Sequence, residues 1–301
     1  MTERDVRIYE VGPRDGLQNE KMPISTEAKL SFIGLLADAG LREIEATSFV
    51  SPKAIPQLAD ADELMARLDR RPGVRYPVLV PNERGFARAE AAGANAVCVF
   101  TAGSEEFTRA NINMTIAASM DAFRPVIDAA RQRGWWSRGY VSTAFGCPYQ
   151  GEVGEAAVVG VAQQLLELGV DELSIGDTIG VAGPADVRRV VGALLGAGIG
   201  AERLAMHFHD TRGTALANVT SALELGIRCF DASTGGTGGC PYAPGAAGNL
   251  ATEDLVYLLE REGLSHGIDL DVLLVAARQV SKTLGRPLAT KVGQAGGWRV
   301  P

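Results

Sequence analysis

An alternation running through the whole chain constrains its fold more than any other feature. Short apolar runs, rich in Val, Ile, Phe and Tyr, read as strands at 6–11, 42–47, 75–80, 95–100, 138–145, 171–176, 203–209 and 228–233. Between them lie stretches such as 26–39, 153–168 and 184–195, whose apolar residues recur at intervals of three and four. That spacing puts them on one face of a helix. Gly40, Gly93, Gly169 and Gly226 each follow Ala or Leu just before the next strand. A glycine there supplies the left-handed residue that ends a helix. Pro184, after Gly183, suits a first helical turn, where its missing N–H would be unpaired anyway.

Strands that alternate with helical crossovers form a parallel sheet, so the class is α/β. Eight strand–helix units over about 265 residues match a closed (β/α)8 TIM barrel. An open doubly wound sheet would carry a Gly-x-Gly-x-x-Gly turn after the first strand, and none is present. Residues 268–285 read as an additional C-terminal helix. No linker interrupts the pattern, so residues 1–301 are expected to form a single domain.

Composition excludes several functions. With 46% hydrophobic residues the chain can build a large core, and its 36 glycines follow no collagen-like period. Twenty-nine basic against 36 acidic residues give a net charge of −7, which argues against binding a nucleic-acid backbone. No apolar stretch reaches the roughly 18 residues of a membrane span. The four cysteines show no Cys-x-x-Cys spacing and the charged N-terminus no apolar signal segment, so reduced thiols and a cytoplasmic location are expected.

A barrel enzyme carries its chemistry at the carboxyl ends of its strands. Those ends hold Arg14, Asp15 and Gln18 after the first strand, and Glu45, Thr47 and Ser48 at the second. Ser174 and Asp177 stand at the sixth, and His207 and His209 at the seventh. The eighth leads into the glycine-rich run 235–239, Cys240 and Asn249. The His-x-His pair is the sharpest signal, because only three histidines occur and residues two apart on a strand share a face. Both imidazoles can then reach one cation, and oxygen-bearing neighbours suit Mg2+ or Mn2+ better than structural zinc. Two half-buried, hydrogen-bonded histidines are the plainer alternative. Asp15 is either a turn residue before Gly16 or a third ligand, since the first and eighth strands adjoin when a barrel closes. Arg14 is either a surface charge or a cation aimed at developing negative charge. Cys240 as a nucleophile would need a partner base.

Five segments carry a resemblance. Val11-Gly-Pro-Arg-Asp-Gly-Leu-Gln-Asn-Glu20, Thr47-Ser-Phe-Val-Ser-Pro-Lys53, Gly176-Asp-Thr-Ile-Gly180, His207-Phe-His-Asp-Thr211 and Gly239-Cys-Pro-Tyr-Ala-Pro-Gly-Ala-Ala-Gly-Asn-Leu-Ala-Thr-Glu-Asp254 resemble the 3-hydroxy-3-methylglutaryl-CoA lyases, members of the DRE-TIM metallolyases. The resemblance implies a (β/α)8 barrel that cleaves a hydroxyacyl-CoA by a retro-Claisen reaction, in leucine breakdown or acetoacetate formation. It implies a divalent cation, Mg2+ or Mn2+, on Asp15, His207, His209 and Asn249. Arg14 would stabilise the enolate, and Asp15, His207 and Cys240 would be candidates for acid and base. Gln18, Glu45, Ser48, Ser174 and Asp177 would contact substrate, Cys240 would sit on a mobile lid, and the assembly would be a homodimer. Phe208 and the run 233–239 depart from the family pattern and are expected at the pocket mouth or lid. Citramalyl-CoA or a longer isoprenoid hydroxyglutaryl-CoA are alternative substrates. A Claisen condensing enzyme or a non-catalytic metal- or CoA-binding barrel are alternative functions.

Overall fold

Hydrogen bonding turns the predicted alternation into a closed barrel. The structure, a computed structural model, describes residues 4–239 and 248–298. The strands are β1 (Arg7–Glu10), β2 (Glu43–Ile44), β3 (Thr47–Ser48), β4 (Val78–Leu79), β5 (Ala96–Ala102), β6 (Trp136–Ser142), β7 (Glu172–Asp177), β8 (Leu204–Phe208) and β9 (Cys229–Ala232). All pair in parallel, in the order β2-β1-β9-β8-β7-β6-β5-β4-β3.

The two ends of that order belong to one stretch of chain, 43–48. Glu45 N donates to Glu10 O at 2.9 Å, while Ile44 N and Ala46 N donate to Arg75 O and Pro77 O, both at 3.0 Å. One strand therefore bonds on alternate residues to both neighbours, and the expected eight-stranded (β/α)8 barrel closes. Within the run predicted at 75–80 the strand proper is Val78–Leu79; Arg75 bridges singly to Glu43, and Pro77, with no N–H, lies between them.

Helices α1 (Thr26–Asp38), α2 (Ala61–Arg67), α3 (Glu83–Ala91), α4 (Glu105–Ile112), α5 (Ile116–Gln132), α6 (Glu155–Leu168), α7 (Pro184–Gly196) and α8 (Ala215–Glu224) cover the barrel. They are followed by α9 (Thr252–Arg261), α10 (Leu270–Leu284) and α11 (Lys291–Ala295). Helix α10 is the predicted C-terminal addition and packs on α1. Gly169 ends α6 at φ 101°, as its position before a strand predicts. None of these helices is long and apolar enough to cross a membrane, among the described residues.

Strand residues alternate between two environments. Ile8, Val97, Val99, Val141, Leu173, Ile175, Met206 and Phe230 face outward and join one large core with the helices. Tyr9, Leu79, Cys98, Tyr140, Ala205 and Cys229 face inward and form a separate core inside the barrel. Charged side chains close the amino-terminal end of that interior. Arg138, fully buried, lies 3.9 Å above the Tyr9 ring and 3.1 Å from Glu172. Arg7 pairs with Glu43 and Glu172, and Arg75 pairs with Glu43.

The outer core carries the stability of the fold. Leu36 of α1 is completely buried there, and its replacement by Ala should cost about 2–5 kcal/mol. Urea unfolding should show that loss, while divalent-metal affinity of the folded variant stays unchanged.

Candidate active site

The site begins with one overloaded carbonyl. After β1 the chain winds into a single wide turn, Gly12–Gly16, in which the amides of Arg14, Asp15 and Gly16 all donate to Val11 O at 2.8–3.2 Å. That turn throws Arg14 and Asp15 over the barrel mouth. Gly16 is required by close approach, since a Cβ there would lie 2.4 Å from Thr237 Oγ1 and 2.7 Å from Ser233 Oγ.

Arg14 is clamped from two sides. Its Nη1 donates to Asp15 Oδ1 at 2.7 Å and its Nη2 pairs with Glu45 Oε2 at 2.8 Å. Tyr140 Oη donates to the same Glu45 oxygen at 2.9 Å, and the guanidinium stands 5.5 Å from the centre of the Tyr140 ring. Burial pushes the Glu45 carboxyl up, against the pull of Arg14 and the Tyr140 hydroxyl. Burial also opposes ionisation of Asp15, but Arg14 and the two histidines outweigh it and hold that carboxyl at about 2.

His207 and His209 project inward from the end of β8, two residues apart, with their Nε2 atoms 3.1 Å from each other. The Nδ1 atom of His207 lies 3.1 Å from Asp231 Oδ2, which also accepts from Ser174 Oγ at 2.8 Å. Arg138 Nη2 donates to the other Asp231 oxygen at 2.6 Å. Burial disfavours the Asp231 charge, yet Arg138 and the His207 contact keep its carboxyl below the usual range. Burial, helped by neighbouring His207, lowers His209 to about 4.

Asn249 reaches the same place from another segment. Its backbone bridges to His209, and its Nδ2 donates to Asp15 Oδ2 at 2.8 Å and to Thr237 O at 3.1 Å. That leaves Oδ1 buried and, among the described residues, without a partner.

These donors fit a divalent cation. Ligand atoms of Asp15, His207 and His209 all lie within 4.8 Å of one another, a span that metal–ligand bonds of about 2.0–2.2 Å can bridge. The two imidazole nitrogens face each other at 3.1 Å, and a cation between them would accept a lone pair from each. The unpaired Asn249 oxygen adds a neutral ligand on the same side. Behind the site, Asp231 orients His207 in the manner of a carboxylate supporting a metal-bound imidazole.

A cavity of about 650 Å3 opens from this cluster, lined by Arg14, Asp15, Gln18, Ser174, His207 and His209 on its polar side. Leu79, Phe100, Phe107 and Phe123 add apolar surface to its lining. Glu45 stands behind Arg14, outside the lining. Ser48 and Asp177 face away: Ser48 Oγ accepts from Val50 N at 3.3 Å. The Asp177 oxygens accept from Val181 N and Ala182 N at 2.9 and 3.0 Å. Asp177 is one step out of phase with Gly176, and that parity turns it toward its own loop. Cys240 lies outside the described residues.

Phe208 and Ser233–Thr234, expected at the pocket mouth or lid, are instead buried in the wall. Phe208 sits between the two inward histidines, so the two-residue period points it outward against Phe145. The sequence reading missed Tyr140, Arg138 and Asp231. A signal existed for all three, since each is a polar residue spaced by two from other inward positions of its strand.

Comparison with known proteins is consistent with this geometry. Residues 5–280 match the HMGL-like family. A hydroxymethylglutaryl-CoA lyase of Bacillus subtilis is 49% identical over 288 residues, covering 96% of each chain. The crystal structure of a B. subtilis HMG-CoA lyase superimposes with a TM-score of 0.95 at 48% identity, over 97% of this chain and 98% of that one. An HMG-CoA lyase of Acinetobacter baumannii, solved in complex with coenzyme A and 3-methylmalate, gives 0.93 at 39% identity over the full length of both.

The cation fit generates a test that needs no substrate. Mn2+ at 100 times its dissociation constant should stabilise the protein against urea by about 2.7 kcal/mol. His209→Ala should fold and lose that increment. A His209→Ala protein stabilised as much as the parent would show that the pair is structural.

Proposed function

The chain belongs to the HMGL-like family, and on that premise we propose that it cleaves 3-hydroxy-3-methylglutaryl-CoA to acetyl-CoA and acetoacetate. The observation that carries this reading is the placement of Arg14 beside the Asp15–His207–His209 cluster at one cavity.

The reaction removes the proton from the C3 hydroxyl and breaks the C2–C3 bond. C3 becomes the ketone of acetoacetate, and the bond's electron pair passes to the thioester as an enolate. A proton returned to C2 completes acetyl-CoA. A divalent cation held by Asp15, His207, His209 and Asn249, for which this imidazole and oxygen set favours Mg2+ or Mn2+, would lower the pKa of a bound hydroxyl and offset carboxylate charge.

The protein's own groups supply the rest. Arg14 keeps a further N–H on each terminal nitrogen beyond its bonds to Asp15 and Glu45, and these are the donors for the enolate oxygen. Glu45 and Tyr140 hold the guanidinium in place before the charge develops, so little reorganisation accompanies bond breaking. Of the acid and base candidates, Asp15 and His207 line the cavity, and a ring nitrogen holding the cation would not be free to take a proton. Asp231 fixes the ring of His207, so that Nε2 is the atom presented to the mouth. Gln18 and Ser174 would complete the polar wall for the acyl group. The coenzyme A bound by the A. baumannii relative supports an acyl-CoA substrate.

Acetyl-CoA release from 3-hydroxy-3-methylglutaryl-CoA is the direct test, with and without EDTA. Release should stop when EDTA removes the metal and return with Mg2+ or Mn2+; metal-independent release would overturn the reading. Arg14→Met should lower kcat by about 100- to 1,000-fold, the usual cost of deleting an oxyanion donor, with a smaller change in KM.

A further inference from the structure

Outside the cavity wall, one carboxylate joins three of the segments around the site. Glu10 ends β1, one step out of phase with inward-facing Tyr9, and is fully buried between strand and helices. Its Oε1 accepts from Gly12 N at 2.9 Å and Thr234 N at 2.8 Å. Its Oε2 accepts from Thr234 Oγ1 at 2.8 Å and Thr252 Oγ1 at 2.7 Å. All four partners are neutral N–H or O–H groups.

Each partner begins or ends a functional segment. Gly12 opens the turn that bears Arg14 and Asp15. Thr234 starts the exit from β9, and three residues later Thr237 O accepts from Asn249 Nδ2. Thr252 follows Asn249 by three residues and starts α9. Both sides of the Asp15–Asn249 contact are therefore tied to the same carboxylate. Gly12 is required by that closeness, since a Cβ there would lie 2.5 Å from Glu10 Oε1. Glu253 secures the next link, its two oxygens each 2.9 Å from Gly235 N.

A buried carboxylate is costly to desolvate, and four well-formed hydrogen bonds are what make its burial tolerable. The same four bonds confine their donors to one mutual arrangement. We propose that Glu10 is a positioning residue for the cleavage reaction: by gathering Gly12, Thr234 and Thr252 on one carboxylate, it sets Asp15 against Asn249 without touching substrate. The proposal rests on the function argued above, but part of its test does not.

Glu10→Gln, nearly the same shape, turns one acceptor into an amide that faces N–H and O–H donors. Thr252→Val removes a single bond and keeps side-chain volume. Four quantities are measured on folded protein: affinity for Mn2+ alone, from the paramagnetic resonance of the free ion; kcat; KM; and circular dichroism. Glu10→Gln should weaken Mn2+ binding and lower kcat by about 10- to 100-fold each, as loss of a supporting shell does. KM should change far less, and Thr252→Val should move the same quantities in the same direction by less.

Folded variants with parental Mn2+ affinity and kcat would overturn the proposal. So would an unaffected Thr252→Val if Glu10→Gln failed to fold. Wild-type protein that binds Mn2+ yet leaves 3-hydroxy-3-methylglutaryl-CoA intact would refute the function instead. In that case the Mn2+ comparison alone still decides whether Glu10 aligns the site.

Discussion

The closed parallel barrel imposes a period of two on everything it carries. The stretch 43–48 bonds alternately to β1 and to the chain around β4, so no strand edge is left and both faces of the sheet are enclosed. A side chain on a strand then has only two destinations, the barrel interior or the helix layer. Inward positions belong to the site and its supports, and outward positions belong to the large apolar core. His207 and His209 share a cation site because they share a parity, and Phe208 between them packs against Phe145 for the same reason.

That geometry forces the interior charges to satisfy one another. Arg138 and Asp231 have no access to water, and removing one member of such a pair strands the other at a typical cost of about 3–5 kcal/mol. Here the pairing also does something for the site. Arg138 occupies one oxygen of Asp231, Ser174 and His207 share the other, and the imidazole is left with one orientation. Arg14 is handled likewise by Asp15, Glu45 and Tyr140. The acceptors left over at the mouth, such as Asn249 Oδ1 beside Asp15, are those a cation would use.

The alternation of apolar runs and helical faces was enough to read the barrel, because each strand–helix unit is a local pattern repeated along the chain. The additional helix was legible for the same reason, as were Arg14, Asp15, Ser174 and the two histidines at one rim. Ser48 and Asp177 show where position along a strand is insufficient. Both stand at strand ends, yet their parity turns them away, and Asp177 spends its oxygens on the amides of its own loop. Counting phase would have set both aside, since Asp177 is an odd number of residues from Ser174 and Ser48 from Glu45.

What the sequence by itself determined is the set of chemical groups and the repeat that brings them to one end of a barrel, because periodicity and residue type are local properties. Which groups meet was decided only by the tertiary structure. Asp15 and Asn249 are 234 residues apart, and Arg138 and Asp231 are 93 apart. No periodicity in the chain pairs them; only the family resemblance put Asp15 and Asn249 on one cation. Their contacts exist because closure of the sheet places the first strand beside the last and encloses a space too dry for any charge to remain alone.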